Sequence, residues 1–174
     1  KLFENYEYSR AKLVIENFFW KDFADNYLEI VKKRVYQGKD NEKKSAQYTL
    51  YNSLLGILKI FAPIIPFITE KIYQDHFRKN EKTKSIHLCD WLERKLEKVH
   101  DAKFGKRSWE ALIDIISRVR QEKTKAKKPM NAEIILTMPE FGSSGLKGLT
   151  NPLKDVANAK EIKKGKLKVE FSDS

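Results

Sequence analysis

Cysteine is nearly missing from this chain. Cys89 is the only one in 174 residues, so no intramolecular disulfide can form and a reducing, cytoplasmic setting is the natural one. Glycine and proline are scarce too, at seven and five, which leaves few helix breakers and points to a mostly helical fold. Long apolar runs are absent. The longest, IFAPIIPFI, carries two prolines and is too short and too broken to cross a membrane. Histidine is rare, and His76, His87 and His100 do not cluster. His87 with Cys89 would supply at most two of the four ligands of a structural zinc, so no metal site is expected. There is no glycine-rich phosphate loop and no G-x-S-x-G elbow. Acidic pairs such as Asp22 with Asp25 lie on a helix flank with no partner base. Catalysis is therefore not expected of this chain, and no cofactor is expected in it. The N-terminus KLFENYEYSR has neither a starting methionine nor an apolar signal core, which reads as a piece cut from a longer protein.

What the chain has in excess is positive charge. Lysine and arginine number 35 against 24 acids, a net +11. Such a balance attracts polyanions such as nucleic acid or an acidic membrane face, though a basic surface without a partner carries the same count. Hydrophobic residues at 41% and charged residues at 34% describe a packed, soluble globule of one domain, or one domain with a small appendage.

From Phe3 to about Tyr36 the pattern is helical. Ala11, Val14, Ile15 and Phe18 share one side at i, i+3, i+4, i+7 spacing. Beyond Phe19 the apolar set becomes Trp20, Phe23, Tyr27, Ile30 and Val31, roughly opposite, while Asp22, Asp25, Glu29, Lys32 and Lys33 take over the first side. One long helix that changes packing partner halfway is expected. Residues 37–45 read as a loop and 46–61 as a strongly apolar helix. Pro66 suits a first helical position, with Thr69 and Glu70 in the first turn, where a carboxylate favours the helix dipole. That helix should run to about Phe77. RKNEKTK reads as a solvated connector, and SIHLCDW as a short return segment. A further helix spans about Lys106 to just before Pro129. Next, AEIILTM alternates like a strand and FGSSGLKG is a loop. Thr150, Asn151 and Pro152 cap a short helix, and KEIKKGKLKVEF reads as a β-hairpin turning at Gly165. The expected fold is mostly α: a helical bundle over 1–128, then a small α+β subdomain over 129–174.

One helical stripe stands out. Trp109, Ile113, Ile116, Arg120, Lys123 and Lys127 follow a 4-3-4-3-4 rhythm, apolar first and basic afterwards. A core stripe that turns basic predicts a helix that outruns its bundle and presents Arg120, Lys123 and Lys127 to a partner. A solvated helix end, where cations are also favoured, is the plainer reading. Lys160, Lys163, Lys164, Lys166 and Lys168 form a more diffuse patch.

Three blocks in order and spacing carry a resemblance: WKDFADNYLEIVKKR (20–34), APIIPFITEKIYQ (62–74), and VRQEK (119–123) followed by MN (130–131). Over roughly residues 8–137 the chain resembles the C-terminal anticodon-binding region of class I valyl-tRNA synthetases. The first block favours the valyl form over the similar isoleucyl one. The second is shared among the valyl, isoleucyl and leucyl group. The resemblance implies a helical bundle that docks the tRNA anticodon stem-loop, with a small α/β unit behind it. It also implies a parent, active in protein biosynthesis, that attaches valine to its tRNA with ATP and Mg²⁺ and edits mischarged threonine. The HIGH and KMSKS signatures of that parent's catalytic core are absent from these residues. No long coiled-coil arm ends the chain, as it does in bacterial members, so the resemblance is to an archaeal-type or a truncated enzyme.

Implied partners are valine isoacceptor tRNAs and the upstream catalytic and editing domains of the same chain, in a monomer without membrane contact. The matched tRNA-facing positions are Trp20, Leu28, Glu29, Lys32 and Lys33, since unpaired bases are read by stacking and edge hydrogen bonds while cations hold phosphates. For Trp20, core packing is the first expectation and base contact the second. For Lys32 and Lys33, phosphate contact and plain solvation stand side by side. The isoleucyl enzyme and a helical protein–protein scaffold are the rival readings. A peripheral membrane binder would need a basic helix with a large exposed apolar face, and none stands out.

Overall fold

In the computed structural model, which describes residues 1–91, 102–139 and 150–172, every fourth residue from Ala11 to Val35 is apolar and shielded. The row is Ala11, Ile15, Phe19, Phe23, Tyr27, Val31 and Val35, of which Ala11, Phe23 and Val31 are buried and the rest half-buried. An α-helix turns once in 3.6 residues, so each four-residue step overshoots by about 40°. Over its whole length such a row would wind more than halfway round an α-helix. Here α1 (Tyr8–Asn17) and α2 (Leu28–Gln37) are joined by a π-helical segment, Phe18–Tyr27. The joints stay helical, at φ −61°, ψ −47° for Phe18 and φ −63°, ψ −43° for Tyr27. The Leu28 N–H reaches back five residues to the Phe23 carbonyl. With i→i+5 bonds a turn takes more than four residues, so within the segment the drift runs the other way. The α-helical ends and the wider centre together keep the row on one side.

That side packs on α3 (Asp40–Phe61). Phe23, Ile57 and Phe61 form a buried cluster joined by Ile15, Phe19, Tyr27 and Leu50. The Phe19 ring meets Phe61 edge-on at 5.9 Å, while Phe19 stacks on Phe23 at 6.3 Å and Phe23 on Tyr27 at 5.8 Å. The expected change of partner does not occur, because the backbone rewinds and the partner stays the same. Nor is 37–45 a loop. Only Gly38 and Lys39 separate α2 from α3, whose first turn holds Asp40 and Glu42, acids suited to the positive end of a helix. At Gly38 a Cβ would stand 2.3 Å from the Arg34 carbonyl oxygen, so a side chain cannot be placed without moving the backbone.

A second face of α3 carries Leu55 and Leu58, which with Ala62 cluster against Tyr73, Phe77 and Ile86. Tyr73 lies in α4 (Pro66–His76), which begins with Pro66 as expected. Thr69 is buried, its hydroxyl donating to the Ile65 and Pro66 carbonyls, both at 3.0 Å. Glu70 does not serve the helix terminus. One of its oxygens accepts from Ser85 Oγ at 2.8 Å and the Ile86 N–H at 3.0 Å, the other from Gln74 at 2.6 Å. The return segment is thereby stapled to α4 and forms a 3₁₀ turn, Ile86–Leu88, capped by Ser85 Oγ. Between them lies the single turn α5 (Arg78–Glu81).

The chain divides into two compact units, Lys1–Lys95 and Leu96–Ser174, which differs from the expected division at 128. In the second, α6 (Ala102–Lys125) and α7 (Thr150–Ala157) accompany β1 (Ile134–Met138), β2 (Ala159–Lys164) and β3 (Lys168–Phe171). The strand order is β2-β1-β3, with β2 parallel and β3 antiparallel to β1. The expected hairpin is therefore absent: β1 lies between the two strands, and the Gly165 turn passes the end of β1. The Gly165 N–H donates to the Met138 carbonyl at 2.9 Å, and a Cβ there would come within 2.8 Å of the Thr137 methyl. Ile134, Leu136 and Met138 alternate inward along β1, with Leu136 opposite Ile162 and Val169. Buried Leu112, Ile115, Ile116 and Val119 of α6, and Leu153 and Ala157 of α7, complete this unit's interior. The FGSSGLKG loop lies outside the described residues.

Candidate nucleic-acid interface

One position beyond each member of the buried row from Phe19 onward lies a second row: Trp20, Ala24, Leu28, Lys32 and Tyr36. Neighbouring residues on a helix point about 100° apart, so this row flanks the packed face and opens to solvent. Trp20 is 61% exposed, Leu28 37% and Tyr36 74%. Trp20 is therefore not a core residue, contrary to expectation. Its ring leans edge-on against Phe19 at 5.0 Å, and the rest is open. Lys32 pairs with Glu29 at 3.4 Å, and Lys33 is exposed on the next flank. Two aromatic faces, an aliphatic side chain and lysines along one rod suit unpaired bases and the phosphates beside them. Tyr36 belongs to this row, and the sequence reading missed it. Its signal was the same four-residue step that links Trp20, Leu28 and Lys32.

The second expected group is not one group. Arg120 is half-buried and Lys127 exposed, but Lys123 is only 2% exposed. The Lys123 ammonium donates to the carbonyls of Met130 and Ala157, each at 2.8 Å. Burial pushes its pKa down. It ties the end of α7 and the turn after α6 to the helix, so it is not an outward-facing cation. The stripe does not outrun its core at Arg120, because Lys123 is still inside. Lys127 follows the helix end in a left-handed conformation, φ 52°, and Lys125 pairs with Glu122 at 2.7 Å. On the outer sheet face, Lys163 pairs with Glu161 at 3.7 Å and Lys168 with Glu170. The Lys168 ammonium holds the Glu170 carboxyl below its ordinary range. This part of the lysine patch is charge-balanced.

The segment RKNEKTK is more than a solvated connector. Gln74, Arg78, Lys79, Lys82, Thr83 and Lys84 line a groove of about 420 Å³. The signal in the sequence was four cations in seven residues, with Glu81 the only acid among them. His87 is exposed, and Cys89 donates to Tyr73 Oη and the Ser85 carbonyl. Among the described residues no three His, Cys, Asp or Glu side chains are placed to hold a metal ion, and no helix is long and apolar enough to cross a membrane.

A helical unit with an exposed row of aromatic and basic side chains, accompanied by a small α+β unit, matches a known class. The family model for the anticodon-binding domain of tRNA ligases covers residues 1–137, and the chain belongs to that family. Among curated relatives, the valine–tRNA ligase of Orientia tsutsugamushi is 36% identical over 167 residues, 92% of this chain and 19% of the relative. That of Rickettsia felis is 39% identical over 166 residues, 91% of this chain and 18% of the relative. The isoleucine–tRNA ligase of Pyrococcus abyssi is 30% identical over 178 residues, 97% of this chain and 16% of the relative. The chain thus spans about a fifth of the length of the relatives it matches.

Proposed function

We propose that this chain is the part of a valine–tRNA ligase that docks the anticodon stem-loop of its tRNA. The family match over residues 1–137 carries the reading. The relatives matched are mostly valine–tRNA ligases, at up to 39% identity, with an isoleucine–tRNA ligase at 30%, which favours valine. Trp20, Leu28 and Tyr36 offer stacking surfaces, Lys32 and Lys33 reach phosphates, and Glu29 fixes Lys32 and can accept from a base edge. Arg120 and Lys127 are further contacts, to tRNA or to the rest of the parent. The parent is a cytoplasmic monomer whose upstream catalytic and editing domains use ATP with Mg²⁺, and the residues described here do no chemistry themselves.

The test is binding of a valine tRNA transcript to the purified chain, with heparin as competitor. Weak binding that survives heparin better than a non-cognate tRNA does is expected. Its affinity should fall with salt by a log–log slope of about −0.7 for each single-stranded phosphate contact. No ATP-dependent valine activation should accompany it. Binding that heparin abolishes equally for every RNA would overturn the reading, as would valine activation by the chain alone.

A further inference from the structure

We propose that the groove at Arg78–Lys84 is a phosphate site for RNA backbone, separate from the exposed row on the rod. The proposal rests on the tRNA-binding reading above and adds a second contact to it. Arg78, Lys79, Lys82 and Lys84 line the groove with Gln74 and Thr83, and no carboxylate is among the lining residues. Several other cations of the same unit are paired with neighbouring acids: Arg10 with Glu7, Lys12 with Glu16, Lys32 with Glu29 and Lys71 with Asp75. Among the described residues none of the four groove cations has such a partner.

The acids nearest in sequence are committed elsewhere. Glu81 accepts from the Tyr51 hydroxyl at 2.9 Å, Glu70 holds Ser85 and Ile86, and Asp75 pairs with Lys71 at 3.0 Å. His76 and His87, on either side, add no negative charge. The groove is also built rather than loose. Tyr73 donates its buried hydroxyl to the Thr83 carbonyl at 3.0 Å, and Gln74 donates to the Lys84 carbonyl at 2.6 Å. The Gln74 amide oxygen in turn accepts from Arg78 Nη1 at 2.9 Å, which orients the guanidinium and leaves its other N–H groups for a ligand. Lys82 adopts the left-handed conformation, φ 59°, and its N–H returns to the Arg78 carbonyl at 3.1 Å, closing the turn. Four exposed cations lining one groove repel one another, and an oligoanion relieves that repulsion. A phosphodiester backbone presents such charge, and Arg and Lys are the side chains that hold it.

The test uses the 174-residue chain carrying Lys79→Gln, Lys82→Asn and Lys84→Gln together, asparagine being tolerant of the left-handed backbone. All three lysines are exposed, so the melting temperature should not move. Affinity for a valine tRNA transcript at low salt should fall about tenfold, and the log–log salt slope should flatten by about 0.7 for each phosphate no longer held. Lys71→Gln, at a paired lysine, should leave both unchanged. Unaltered affinity and slope in the triple variant, while Trp20→Ala weakens binding, would overturn the groove and leave the proposed function standing. If no form of the chain binds tRNA, the function itself fails and the groove with it. Amide NMR separates the sources of phosphate. tRNA should shift residues 78–84, whereas saturation of these amides by inorganic phosphate, with no response to tRNA, would make the site one for a free anion. Displacement of tRNA from the groove by polyglutamate at equal charge would reassign it to an acidic protein.

Discussion

The Lys123 ammonium and the Ala157 carbonyl lie 2.8 Å apart, the end of one helix tied to the end of another. The same ammonium holds the Met130 carbonyl in the turn after α6, so one buried cation satisfies two backbone acceptors, one of them at the end of α7, where carbonyls otherwise go unpaired. Lys123→Met keeps the length of the side chain and removes both bonds. It should lower the stability of this unit by about 2–4 kcal/mol, because removing a charged donor leaves its acceptors desolvated and unpaired. Urea unfolding checks this. An unchanged midpoint, or a loss of tRNA affinity at undiminished stability, would mean that the lysine faces outward after all.

Trp20 and Phe23, three positions apart, should respond in opposite ways. Phe23 is buried between the rod and α3, and Phe23→Ala should cost about 3–5 kcal/mol. Trp20 is mostly exposed, so Trp20→Ala should shift stability by less than about 1 kcal/mol. Its effect belongs in binding, where removal of a stacking ring costs about 1–3 kcal/mol of tRNA affinity. Thermal melts and anisotropy titrations on both variants separate the two roles. A large drop in melting temperature for Trp20→Ala would return that ring to the core.

Glu70 gives the first unit an acid-sensitive staple. Burial alone would push its carboxyl up, but hydrogen bonds from Gln74, Ser85 and the Ile86 amide, helped by His87, hold it below its ordinary 4.5. The folded value is the lower one, so this stabilisation is complete above 4.5 and is lost as pH falls through the folded value. Glu70→Gln should cost about 1 kcal/mol near neutral pH, with the gap to wild type closing in acid. A gap that persists unchanged through the acid range would show that charge plays no part.

Tyr73 makes the same unit sensitive to alkali. Burial, reinforced by the Cys89 thiol, pushes its phenol from 10.0 up to about 12. The folded value is raised, so the stabilisation it supplies is full below 10.0 and drains away as pH climbs from there to about 12. Tyr73→Phe leaves the Thr83 carbonyl without its donor, at about 1 kcal/mol, and should remove this part of the alkaline loss. Melting temperatures of the two forms across that range decide it.

Much of the architecture was legible in the sequence alone. Few glycines and prolines, Pro66 at a helix start, the alternation of AEIILTM and the helical stripe of α6 are local signals, and local structure followed them. The family could be read as well, because its three blocks are specific strings in fixed order. Where reading failed, the deciding interaction was with residues far along the chain. The i, i+3, i+4 template assigned Val14 to the core and put the packing of Trp20 on an opposite face. A π-helical centre keeps every fourth residue against α3 instead, and leaves Trp20 and Val14 exposed. No pattern of period 3.6 announces that rewinding, since packing against Ile57 and Phe61 favours it. The lysine-rich end of the chain looked like a hairpin because β2 and β3 are separated by a short glycine turn. Only the sheet reveals that β1 slides between them. Lys123 and the lysines of 78–84 are chemically alike in the sequence. The first is sealed by two backbone carbonyls and the others line an open groove, and that difference is decided by where Ala157 and Met130 come to lie, which a linear string of charges does not encode.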